Sequence, residues 1–194
     1  APAMSAAERD DALALLRAPD LLDRIAADLA ACGLVGETLN KQVAYLAATS
    51  RLLDHPLAVV VQSSSAAGKP ALMDAVLGCM PDETTRQFTT LSEKALYYLQ
   101  DVPLQHTILG IRETDGMEAA AYHLKILQSD GVLSQLVPQK DPQTGQLVTA
   151  EFRVEGPVML FLTTTAADDD LDPELLNRCL KLCVDESPQQ TARI

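Results

Sequence analysis

The chain has 194 residues, 47% hydrophobic and 22% charged, a composition that builds a folded domain with a substantial core and excludes a disordered or fibrous protein. Fifteen Lys and Arg against twenty-seven Asp and Glu leave a net charge of −12, which repels phosphate backbones. A freestanding basic DNA-binding module is thereby excluded, and any nucleic-acid contact has to come from a local feature or an assembled ring. No apolar run reaches the roughly 18 to 20 residues that span a bilayer, and "APAMSAAERDD" lacks the basic start and apolar stretch of a signal peptide. The expectation is a cytoplasmic protein with no membrane partner. Cys32, Cys79, Cys179 and Cys183 form no CxxC pair and read as thiols, not as disulfides or zinc ligands.

Residues 5 to 32 are predicted helical. Ser5 and Glu8 fit a capping box, Leu13, Leu15, Leu16, Leu21, Leu22, Ile25 and Leu29 recur at helical spacing, Pro19 divides two helices, and Gly33 closes the second. A third helix is expected from Glu37 to Leu53, with Leu39, Val43, Leu46 and Leu52 facing inward. The first strand is Leu57 to Gln62, a continuous apolar, β-branched run of the kind buried on both faces of a parallel sheet. A small-residue loop and a helix follow it, then a helix near Leu91 to Leu99, a strand Thr107 to Ile111 and a helix Met117 to Gln128. Next, two alternating segments between Gln135 and Val154 flank Asp141-Pro142-Gln143-Thr144-Gly145, a β-hairpin pattern. A second buried strand, Val158 to Thr165, an acidic loop, a short helix Pro173 to Arg178 and a strand "LKLCVDE" complete the order, and "SPQQTARI" reads as a cut before another domain. Alternating strands and helices mean a layered α/β fold. The expected division is an N-terminal helical segment 1–35, an α/β domain 36–190 and a tail 191–194.

A strand, a small-residue loop, Gly68-Lys69 and then a helix is the arrangement that cradles phosphates, with backbone N–H groups turned inward and the lysine ammonium reaching the β and γ oxygens. The octet Ser63-Ser64-Ser65-Ala66-Ala67-Gly68-Lys69-Pro70 departs from G-x-x-x-x-G-K-[ST] at both ends, and Ala71 follows it in the helix. Pro70 removes a hydroxyl that binds Mg²⁺ and a backbone N–H, and it restrains Lys69 from helical geometry. Proline is nevertheless tolerated in a first helical turn.

The runs "DHPLAVVVQSSSAAGKPALMDAVLGCMP", "AAYHLKILQSDGVL" with its hairpin, and "RVEGPVMLFLTTT" followed by "LLNRCLKLCVDES" resemble the P-loop AAA+ module found beside DNA primase domains in bacterial primase-helicase proteins of mobile elements, over about residues 36 to 190. The resemblance implies a three-layer α/β/α P-loop NTPase fold of AAA+ type, with a parallel-dominated sheet and a β-hairpin insertion. It implies ATP and Mg²⁺ as cofactors, a homo-oligomer in the full-length protein, single-stranded DNA held by an assembled ring, and a primase domain as partner.

The resemblance also assigns residues. An acidic pair is expected at the end of the second core strand, where this chain has Arg112-Glu113. Glu113 is then the candidate for water activation and, with Asp115 as a weaker substitute, for Mg²⁺. Thr164, in the middle of Thr163-Thr164-Thr165, falls at the sensor-1 position, and Arg178 falls at that of an arginine finger. Gln139 and Lys140 are the candidate DNA contacts near the hairpin tip. Plainer readings stand beside these: a solvated carboxylate at Glu113, a β-branched strand end at Thr164, a salt bridge from Arg178 to the acidic loop, and an exposed turn lysine at 140. Pro70 and Arg112 both weaken Mg²⁺ handling, so whether the chain is an active ATPase stays open. The alternative function is a catalytically degenerate P-loop module serving assembly or regulation.

Overall fold

The computed structural model describes residues 4–63, 69–92, 95–99, 102–114, 118–140, 145–166 and 172–192. Helix α1 (Ala6–Leu16) opens on the expected capping box: the Ser5 N–H donates to Glu8 Oε2 at 2.8 Å, and the Glu8 N–H donates to Ser5 Oγ at 3.3 Å. None of its residues is buried. Helix α2 (Leu21–Ala31) follows Pro19 and turns Ile25, Ala26 and Leu29 inward. Helix α3 (Thr38–Thr49) forms where the spacing places it, but it presents the other face. Leu39 is 71% exposed, Leu52 in the 3-10 turn beyond the helix is 62% exposed, Leu46 is exposed and Val43 is half-buried. The inward face is Lys41, Ala44, Ala47 and Ala48. Leucines and alanines recur at the same helical period, so the period alone does not choose between them. Small residues win here because they let the helix axis approach α4 (Lys69–Leu77) and the sheet closely.

The strands are β1 (Ala58–Gln62), β2 (Thr85–Phe88), β3 (Thr107–Ile111), β4 (Val132–Lys140), β5 (Leu147–Glu155), β6 (Val158–Thr164) and β7 (Cys179–Cys183), with α5 (Glu118–Asp130), α6 (Pro173–Leu176) and α7 (Pro188–Thr191) completing the elements. Five strands form one sheet in the order β2-β3-β6-β1-β7, and every pairing within it is parallel. β2 carries no strand signal in the sequence, since Thr85-Arg86-Gln87-Phe88 has no apolar run and, among the described residues, it pairs only with β3. The helix expected at Leu91 to Leu99 is reduced to a 3-10 turn, Ala95–Leu99.

Successive side chains of each central strand go to opposite faces. Val59 and Val61 of β1, Ile108 of β3, and Met159 and Phe161 of β6 pack with α2, α3 and α4. Ala58, Val60, Leu109, Ile111, Leu160 and Leu162 pack with α5, α6, the 3-10 turn and the foot of the β4–β5 hairpin. The result is a three-layer α/β/α fold whose central strands are apolar on both faces, as the continuous runs required. Each fully buried Leu or Phe in these layers contributes roughly 1.5–3 kcal/mol.

The hairpin is inserted between α5 and β6. Gly131 (φ +69°) ends α5 in the left-handed conformation that glycine adopts without penalty and turns the chain into β4. Leu133 and Val154 anchor the hairpin in the core, while Leu136 and Leu147 stand exposed farther out. Among the described residues no helix is long and apolar enough to cross a membrane.

Candidate functional site

The chain leaves β1 toward α4 on one face of the sheet and leaves β3 and β6 toward α5 and α6 on the other. Neighbouring β1 and β6 therefore send their following helices apart, and the crevice this opens at their carboxyl ends is where open α/β sheets bind ligands. Gln62 and Ser63 after β1, Thr165 and Ala166 after β6, and Cys183, Val184 and Glu186 after β7 line a cavity of about 360 Å³ there. Gln62 Nε2 donates to the Ala166 carbonyl at 2.6 Å and ties the two strand ends together.

Lys69 is the first residue of α4. Its side chain is buried and curls back to the strand end, where Nζ donates to the Ser63 carbonyl at 3.1 Å. An ammonium thus sits at the amino end of a helix, beside the switch point, where the helix dipole also favours an anion. Ser64, Ser65, Ala66, Ala67 and Gly68 lie outside the described residues. Pro70 and Ala71 occupy the exposed side of the first turn. The restraint expected of Pro70 on Lys69 does not hold: Lys69 is helical, because the restriction falls on the opening residue of the helix, where it is absorbed.

At the end of β3 the Arg112 side chain turns toward α4. Its Nη2 lies 2.8 Å from Asp74 Oδ1 and donates to Gln87 Oε1 at 3.0 Å. The Arg112 carbonyl accepts the Thr163 hydroxyl at 2.5 Å, which fastens β3 to β6. The Glu113 N–H donates to the Thr89 carbonyl at 2.9 Å, and its Oε1 is buried with no hydrogen-bond partner among the described residues, as is Thr114 Oγ1. Thr164 is fully buried, and its Oγ1 accepts the Ala166 N–H at 3.0 Å, so this hydroxyl caps the strand end and keeps its own proton to donate. Asp115 lies outside the described residues.

The remaining candidates stand elsewhere. Arg178 is exposed and immediately precedes β7, whose first residue pairs with Ala58 at the start of β1. It is therefore at the opposite end of the sheet from Ser63 and Lys69, hydrogen-bonded to Ser129 Oγ. The described acidic residues it was weighed against, Asp172 and Glu174, pair with Lys125 instead, each at 2.9 Å. The hydrogen bonds that Lys125 Nζ donates to the Glu174 and Asp172 carboxylates hold the ammonium above the ordinary lysine value. Burial alone would raise the Asp172 carboxyl, but Lys125 and the Leu175 N–H outweigh it and hold the group low. Gln139 and Lys140 are exposed on the outer part of β4, and residues 141–144 lie outside the described part.

A Mg²⁺ ion at a P-loop takes a hydroxyl from the residue after the lysine and a carboxylate from the neighbouring strand end. Those places hold Pro70 and Arg112, Asp74 is engaged by Arg112, and no group of three His, Cys, Asp or Glu suited to a metal occurs among the described residues. At the end of β3 the carboxylate among the described residues is Glu113, and Glu186 lines the cavity from beyond β7. The described residues fit a phosphate at Lys69 and do not fit Mg²⁺ beside it. Sequence reasoning passed over Asp74, although its place one turn after Pro70 on the same helix face was readable.

Fold and junction together define the class, a P-loop NTPase fold of AAA+ type. The chain belongs to the MTBMA_p00010 P-loop domain family, whose model matches residues 6–194. Among solved structures it is similar to a full-length MCM homolog from Methanopyrus kandleri, at 14% identity and a TM-score of 0.59 over 95% of this chain and 42% of that one. It is also similar to a RuvB mutant from Thermotoga maritima, at 16% identity and a TM-score of 0.53 over 76% of this chain and 44% of that one. The chain thus spans less than half the length of either, and at these identities the likeness is one of fold. A search of curated protein sequences found no match.

Proposed function

We propose that this domain is the ATP-binding AAA+ module of a primase-associated DNA helicase or replication ATPase of the cytoplasm, coupling nucleotide binding to single-stranded DNA. The observation that carries the reading is Lys69: a buried ammonium opening the helix that follows β1, at the switch point of the sheet. In this reading residues 63–71 hold the phosphates, Glu113 and Thr164 stand at the strand ends beside them, and Arg178 serves the nucleotide of a neighbouring copy. Gln139 and Lys140 meet DNA inside an oligomeric ring, where several copies concentrate positive charge that the single chain, at net −12, does not have. The test is calorimetric titration of ATP into the chain and into Lys69→Ala. Binding weakened at least tenfold by the substitution supports the reading, and equal binding by the two sinks it.

The Arg112–Asp74 bridge favours a second reading, a catalytically degenerate module that binds nucleotide for assembly or regulation. Phosphate release measured with and without single-stranded DNA separates the two: turnover stimulated by DNA supports the ATPase, and none above background supports the degenerate module.

A further inference from the structure

Building on the nucleotide-binding reading, we propose that Arg112, held by Asp74, is a resident cation in place of Mg²⁺, so that this P-loop takes the metal-free form of a nucleoside polyphosphate. The two departures from a metal-binding P-loop fall together in space. Asp74 lies four residues after Pro70, hence on the same face of α4 and one helical turn farther from its amino end. Arg112 Nη2 reaches that carboxylate at 2.8 Å and Gln87 at 3.0 Å. A guanidinium is thereby fixed one turn below the residue that would have supplied the metal's hydroxyl, on the strand end that would have supplied its carboxylate.

Three consequences point the same way. A divalent cation entering here meets a fixed positive charge and finds Asp74 already engaged. An arginine is always charged, and its planar fork suits phosphate oxygens. Among the described residues only Nη2 has a partner, the other guanidinium nitrogens have none, and the side chain is 42% exposed, so it is open to a ligand. Exposed ion pairs of this kind add little to stability, so stability alone does not account for a guanidinium held between the end of β3 and the second turn of α4.

The experiment is calorimetric titration of ATP in EDTA and in excess Mg²⁺, with circular dichroism and melting curves to show that each variant is folded. The chain itself is expected to bind ATP in EDTA as well as in Mg²⁺, within threefold. Arg112→Gln is expected to lose about tenfold in EDTA. Pro70→Ser/Arg112→Asp, which restores a hydroxyl and sets two carboxylates side by side, is expected to bind at least tenfold better with Mg²⁺ than without. Tenfold tighter binding by the unmodified chain in Mg²⁺, or no loss in EDTA on Arg112→Gln, overturns the inference and leaves the nucleotide-binding reading standing. A folded chain that binds ATP in neither condition overturns both.

Discussion

Lys41 is 98% enclosed, and among the described residues its ammonium reaches only the Ala26 carbonyl, at 3.5 Å, the outer limit of a hydrogen bond. Burial holds the group below the ordinary lysine value, against a smaller opposing pull from Glu37. The unfolded chain therefore binds more protons than the folded one in the interval between the lowered value and the ordinary one, and stability attributable to this residue rises with pH through that interval. Lys41→Met removes the buried charge and is expected to stabilise the fold by about 1 kcal/mol near neutral pH. The advantage over wild type should shrink as pH approaches the ordinary lysine value, and urea melts at pH 7.5 and 10 check both points. The thiols give a second residue-level outcome. Burial pushes Cys179 up to about 12, whereas Cys32 and Cys183 are exposed. A thiol reagent at pH 8 should label Cys32 and Cys183 in the native protein and reach Cys179 only after denaturation.

At the scale of elements, α3 turns its alanines inward, which inverts the usual cost of substitution. Ala47→Leu should lower stability by about 1–3 kcal/mol by overpacking the face against α4 and the sheet. Leu39→Gln should change it by less than about 0.5 kcal/mol, since that leucine is mostly in water. Denaturant midpoints for the pair decide the matter, and a reversed order would mean that α3 is rotated in solution. The same helix marks the limit of what was legible. β1, β3 and β6 could be read because a strand buried on both faces must be apolar at every position. The facing of α3 could not, because Leu39 and Ala47 belong to stripes of the same period. Polar Thr85 to Phe88 carried no strand signal because an edge strand has less to bury. In the site, Lys69 was legible from the order of strand, small-residue loop, lysine and helix. The Arg112–Asp74 contact was not, because it spans 38 residues and exists only once β3 lies beside α4.

For the whole molecule, the excess of acidic residues and the exposed Lys140 define a fourth outcome. On the function proposed above, Lys140→Ala in the assembled, nucleotide-bound protein should weaken single-stranded DNA binding and flatten its salt dependence, while the single chain should bind DNA poorly with either residue. DNA titrations at low and moderate salt measure this, and equal affinity of the two assemblies would remove the hairpin from the interface. The sheet order has a consequence for how the chain becomes folded at all. β1 lies near its centre, yet Ala58 pairs with Leu160 on one side and Cys179 on the other, both roughly a hundred or more residues downstream, and its ladders are the costly, non-local kind. During synthesis the most apolar strand of the amino-terminal half therefore waits without neighbours until β6 and β7 have emerged. A fragment ending at residue 157 should accordingly bind a hydrophobic dye and lack cooperative unfolding, while the 194-residue chain refolds slowly in one concerted step.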